Sequence, residues 1–143
     1  MTEKELTIEE KKEILKNFKI AKEKLKSLES QKISLAETMT SAKAQQYNDM
    51  PKSNRHNDLS DSYCMLEKLI DNIENATIEY IAIKVRIEFA IMKLKDGIEC
   101  NILRKRYIEY EKYKCWEEIS ADIGYSMKQT HRKHSDALIK IKL

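Results

Sequence analysis

Four side chains near the C-terminus are of the kinds that read base edges. Lys128, Gln129, His131 and Arg132 lie within one short stretch. Arg and Lys donate to guanine, and Gln makes a paired contact with adenine. This is recognition by hydrogen bonding rather than bond-breaking chemistry. Ser126 heads the stretch, and its hydroxyl is a further candidate contact. From Ser126 to Leu143 five cations (Lys128, Arg132, Lys133, Lys140 and Lys142) face one anion, Asp136. Cations opposite phosphates supply much of the affinity for DNA. Lys133, with Arg104 and Arg106 upstream, is assigned that role here.

Such residues work only if a rigid element presents them. Trp116, Ile119 and Ile123 recur at spacings of three and four and make one apolar helix face. Gly124 follows, where a left-handed C-cap wants glycine. Ser126 and Gln129 then fit a capping box that opens a second helix. Only Gly124 and Tyr125 separate the two helices, so the chain turns sharply. This is the layout of a helix-turn-helix, whose second helix can enter the major groove. Ala137, Leu138 and Ile141 are its expected core face. A preceding helix over 98–110 would pack Ile102, Leu103, Tyr107 and Ile108 against the pair. Lys105, beside Arg104 and Arg106, suits either a phosphate contact or a solvated face. Trp116 is expected in the core, and Tyr125 suits either a phosphate contact or packing beneath the turn.

The run Ser126-Met-Lys-Gln-Thr-His-Arg-Lys-His-Ser-Asp-Ala-Leu-Ile-Lys-Ile141 resembles the recognition helix of bacterial sigma factor region 4. Leu103-Arg-Lys-Arg-Tyr107-Ile and Trp116-Glu-Glu-Ile119-Ser-Ala-Asp-Ile-Gly-Tyr-Ser126 fit the same module. The layout is closer still to small phage proteins of Gram-positive hosts that have a sigma-region-4-like C-terminus. The resemblance covers roughly residues 98 to 142 in detail and is architectural before that. It implies a phage or prophage setting and control of late or packaging genes. It also implies RNA polymerase as a second partner, since region 4 binds the polymerase flap. Thr130 and Lys133 depart from the pattern, standing where the family usually has inward-packing apolar residues.

Composition agrees with long helices. Two glycines and one proline in 143 residues, 36% charged and 7% aromatic side chains, read as helices with solvated faces. No stretch shows strand alternation between turn residues. The net charge of +3 is too small for a non-specific nucleic-acid coat. Its excess sits where DNA binding needs it, with ten cations and six anions over residues 100–143. Cys64, Cys100 and Cys115 are odd in number and lack paired spacing, so reduced thiols are expected. No secretory leader and no long apolar run are visible. The expected location is the cytoplasm of a bacterial host, with no membrane association.

The first 97 residues read as a long antiparallel helical hairpin, coiled-coil-like, and residues 98–143 as the helix-turn-helix domain. Its first helix is expected over about 7–39, opened by a Thr7–Glu10 capping box. Ile14, Phe18, Ala21, Leu25, Leu28, Leu35 and Met39 form its seam. Residues 40–57 read as a polar connection, in which Arg55 and His56 are solvated. The second helix is expected over about 58–95, capped by Asp58 and ended near Gly97. Leu59, Leu66, Ile73, Tyr80, Ile87 and Leu94 lie seven apart, with Ser62, Leu69, Ala76, Ile83 and Ala90 between them. Tyr63, Ile70, Ile81, Ile91 and Met92 widen the stripe, to meet the C-terminal domain or a second subunit in a homodimer.

Other chemistry finds little footing. No Cys-x-x-Cys or His-x-x-x-His pair suggests zinc. His131 and His134 are expected as polar groups on the DNA-facing helix. There is no glycine-rich phosphate loop and no nucleophile–base spacing, so neither an enzyme nor a cofactor is expected. The reading is an all-α, sequence-specific regulator that binds double-stranded DNA. Its rival is a protein-interaction adaptor working through the hairpin; a purely structural helical protein fits the clustered cations less well.

Overall fold

The computed structural model describes residues 4–46 and 55–143, with side chains over 4–41 and 59–143. Every regular element among them is helical. A long pair comes first: α1, Ile8–Gln46, and α2, Arg55–Met92. Then come α3, Gly97–Leu103, the π-helical turn Arg104–Ile108, α4, Trp116–Ile123, and α5, Met127–Lys140. The all-α class and the long helix pair are those expected from the sequence.

Local chemistry sets the boundaries. Thr7 N donates to Glu10 Oε2 at 2.8 Å and Glu10 N donates back to Thr7 Oγ1 at 3.3 Å, completing the predicted capping box. α1 continues past residue 39, and α2 starts before Asp58, which therefore lies inside the helix rather than capping it. The rest of the expected connection, residues 47–54 with Pro51, lies outside the described residues, as do the side chains of Arg55 and His56. Gly97 is not a C-cap. α2 stops at Met92, and Gly97 opens α3 behind Asp96, whose carboxylate accepts from Ile98 N at 2.9 Å and Glu99 N at 3.4 Å. A strong N-cap beside a glycine outranks the glycine's own stop signal.

The chain forms two compact units: Met1–Ala21 with Tyr80–Leu143, and Lys22–Glu79. In the second, the predicted seam is narrow. Met39, Leu69 and Ala76 are buried, and Leu25, Leu28, Leu35, Leu66 and Ile73 are half-buried. In the first, Leu15 and Phe18 of α1 share a core with Ile87, Ala90 and Ile91 of α2, with Leu103, Tyr107 and Ile108, and with Ala137, Leu138 and Ile141. Tyr80 leans on Phe18, ring centres 5.4 Å apart. Each Leu, Ile or Phe side chain so removed from water stabilises the fold by roughly 1.5–3 kcal/mol before entropy is counted. Lys11 adds a polar tie by donating to the carbonyls of Leu138 and Ile139 at 3.0 and 3.1 Å. The last carbonyls of a helix have no partner within it, and a lysine is a natural one.

Among the described residues no helix is long and apolar enough to cross a membrane. Cys64, Cys100 and Cys115 are free thiols. The Cys100 thiol donates to Ile91 O at 3.2 Å, and burial pushes its pKa up.

Candidate nucleic-acid interface

The turn between α4 and α5 is built as its residues dictate. Gly124 takes φ 75°, the left-handed region that a residue without Cβ enters without strain. Gly124 N and Tyr125 N both donate to Ser120 O, closing the end of α4. Ser126 Oγ then accepts from Gln129 N at 3.2 Å, while Gln129 Oε1 accepts from Ser126 N at 3.2 Å. Both halves of the expected capping box are present. Ser126 and the Gln129 oxygen are thus committed to the cap as well as lying exposed.

α5 is held on α4 by polar as well as apolar contacts. Thr130 is fully buried; its hydroxyl donates to Ser126 O at 2.9 Å and receives Ser120 Oγ at 2.9 Å. The hydroxyl that departs from the apolar pattern of sigma region 4 is therefore satisfied. Ile119, Ala137 and Leu138 are buried as well, as their spacing predicts.

The exposed side of α5 carries Lys128, Gln129, His131 and Arg132. The structure brings these four predicted base-reading residues to one surface. The predicted phosphate contacts are placed differently. Lys133 is half-buried, and its Nζ sits 2.9 Å from Asp96 Oδ2, tying α5 to the cap of α3. This pairing holds the Asp96 carboxyl below, and the Lys133 ammonium above, their usual ranges. Arg104 reaches Glu88 of α2 at 3.2 Å. Lys105 bonds Tyr113 Oη at 2.9 Å and pairs with Asp122, whose carboxyl is held low by that bond. Lys140 pairs at 2.9 Å with Glu99, which is only 1% exposed. The C-terminal unit thus uses several of its cations to join its own helices.

Arg106 differs from Arg104. Its guanidinium lies over the Trp116 ring, 4.7 Å from the centroid. The π-helical turn, closed by Glu109 N donating to Arg104 O at 2.8 Å, sets this stretch of backbone. Trp116 is half-buried rather than fully in the core, and His131 and His134 both lie 4.7 Å from it, ring centre to ring centre.

His134 is a correction to the sequence reading. It is 8% exposed and faces inward, not toward a groove of DNA. Its Nε2 shares a 2.8 Å hydrogen bond with Tyr107 Oη. Burial, reinforced by the neighbouring Lys12, Arg106 and His131, pushes its pKa down to about 4, and burial pushes that of Tyr107 up to about 12. Both groups are therefore neutral near pH 7. The signal was legible: positions 130, 134, 137, 138 and 141 share one helical face, and His134 belongs to it.

Among the described residues no group of three or more His, Cys, Asp or Glu side chains could share a metal ion. Compared with models of protein families, with curated proteins and with solved structures, the chain matches none.

Proposed function

We propose that this chain is a sequence-specific regulator of transcription that binds double-stranded DNA with α5 in the major groove. One observation carries the reading. A sharply capped three-residue turn, Gly124 to Ser126, presents a 14-residue helix whose exposed face bears Lys128, Gln129, His131 and Arg132. A rigid helix with donors near its N-terminal end is what direct readout of bases requires. Lys128 and Arg132 supply point and bidentate donors. Gln129 shares itself between the cap and the groove, and His131 sits at the edge beside Trp116. The resemblance of residues 98–142 to sigma region 4 places the protein, in this proposal, in the cytoplasm of a bacterial host under phage or prophage gene control.

The test is to pull down genomic fragments with the full chain and sequence them. A shared motif beside promoters supports the proposal. Fragments distributed like the input contradict it.

One observation favours the adaptor reading. Ile81, Val85, Phe89 and Met92 lie on one face of α2 and are 52%, 47%, 56% and 72% exposed. Contiguous exposed apolar side chains of this size are a common mark of protein contacts. A polymerase subunit or a second copy of this chain would suit that face. Co-purification of polymerase in the absence of DNA binding would favour this reading over the first.

A further inference from the structure

The regulator reading draws its phosphate contacts from the helix-turn-helix and its neighbours. Yet Lys133 and Arg104 are paired with acids. The basic surface beside α5 instead comes from the opposite end of the chain. Leu15 and Phe18 are buried in the core shared with α5, and Lys11 is tied to the Leu138 and Ile139 carbonyls. These contacts fix the opening turns of α1. Two grooves open beside them. Lys12, Lys16, Arg106 and Trp116 line one, which reaches His131 and Ser135 on α5. Lys16, Lys19, Arg106, Tyr110 and Lys114 line the other. Lys16 and Arg106 belong to both, so the two grooves adjoin.

No carboxylate is among the described residues lining either groove. Lys12 has a long 3.6 Å contact with the exposed Glu9, a pairing worth little in water. Lys19 lies 5.2 Å from the centre of the Tyr110 ring, as Arg106 does over Trp116 at 4.7 Å. Aromatic rings orient these cations without neutralising them. The band therefore presents positive charge, and it begins at the His131–Ser135 edge of the exposed α5 surface.

We propose that Lys12, Lys16 and Lys19 of α1, with Arg106 and Lys114, contact the phosphate backbone of the duplex that α5 reads. This rests on the regulator reading and adds to it an N-terminal arm. Lys12, Lys16 and Lys19 are spaced four and three apart, on one side of α1. From the first to the last the helix rises ~10.5 Å, comparable with three phosphate-to-phosphate steps along one strand at ~3.4 Å each. A polyanion of regular spacing suits such a row. Continuity with the base-reading helix selects DNA over an acidic peptide.

The experiment measures affinity of the full chain for a labelled mixed-sequence duplex as salt rises from about 50 to 200 mM. Wild type is compared with Lys16→Gln/Lys19→Gln and with a control, Lys24→Gln/Lys32→Gln, of equal charge change. Each lost phosphate contact lowers the slope of log affinity against log salt by about 0.9, so the double variant loses about 1.8. The salt-induced loss of affinity over that range then shrinks ~12-fold. The control keeps the wild-type slope, and unfolding midpoints match because all four lysines are exposed. A steep wild-type slope that the α1 variant retains overturns the arm and leaves the regulator reading standing. A wild type that binds no duplex overturns both. Binding of poly-glutamate that the α1 variant alone loses, with its DNA slope unchanged, also overturns the arm and assigns the grooves to an acidic protein.

Discussion

His134 makes stability depend on pH in a window of its own. Its folded pKa is about 4 against an ordinary 6.5. Below pH 6.5 the unfolded chain takes up a proton that the folded chain refuses. Stability is thus complete above 6.5 and drains as the pH falls to about 4. A gap of that size is worth about 3 kcal/mol at ~1.4 kcal/mol per pH unit, with a limiting slope of one proton. Asp96 and Asp122 are held low by Lys133 and Lys105, so what they contribute is lost further down, as the pH falls through and below the carboxylate range. The perturbation is His134→Gln, which keeps a polar partner for Tyr107 but cannot titrate. The assay is urea unfolding at a series of pH values, followed by the fluorescence of Trp116, the chain's one tryptophan, which packs edge-on against His134. Wild type should lose most of those ~3 kcal/mol between pH 6.5 and 4, and the variant should be flat down to about pH 4.5. A wild type that is flat there, or a variant with the same slope, would show that His134 is not held neutral by burial.

Three further outcomes follow from the packing and the proposed readout. Leu15→Ala should destabilise the unit containing the helix-turn-helix by about 2–5 kcal/mol, because Leu15 is fully buried against it; an unchanged Trp116 unfolding midpoint would refute the shared core. Thr130→Val should cost about 1–3 kcal/mol by leaving the Ser120 hydroxyl only the weak Met127 Sδ acceptor at 3.3 Å, and Ser120→Ala in the same chain should recover part of that loss, as read from denaturant midpoints in a double-mutant cycle. Arg132→Ala should weaken binding to the selected site by about 1–3 kcal/mol and relax preference at one base pair. Lys133→Ala, whose ammonium is engaged by Asp96, should change affinity far less; fluorescence anisotropy distinguishes the two, and equal losses would contradict this placement.

What was legible in the sequence is what local rules govern. The Gly124 turn and the Ser126–Gln129 box follow from residues a few positions apart. The seams of α1 and α2 follow from heptad spacing, and Phe18, Ala21, Met39, Leu69, Ala76, Ile87 and Ala90 are buried where that spacing puts them. Contacts between distant parts of the chain were not legible. Lys133 finds Asp96 across 37 positions and Lys140 finds Glu99 across 41, so cations that look available for phosphate are engaged in the fold. Leu15, which the expected seam passed over in favour of Ile14, is fully buried while Ile14 is half-buried, and the packing of Leu15 and Phe18 with the C-terminal helices is hidden for the same reason. Periodicity shows which face of α1 is apolar but not what covers it. Gly97 misled because glycine is common at both ends of helices, and Asp96 decided which end this was. His134 misled because histidine is usually solvated, while its register with Thr130, Ala137 and Leu138 placed it inside.

The central claim is that α5 reads bases in the major groove. The most direct measurement is protection of guanine N7, a major-groove atom, from methylation on a fragment enriched by the full chain. The account predicts protection at a short run of adjacent base pairs, with one guanine regaining reactivity in Arg132→Ala. Unprotected N7 positions on a fragment the protein demonstrably binds, or an identical pattern in the variant, would contradict it.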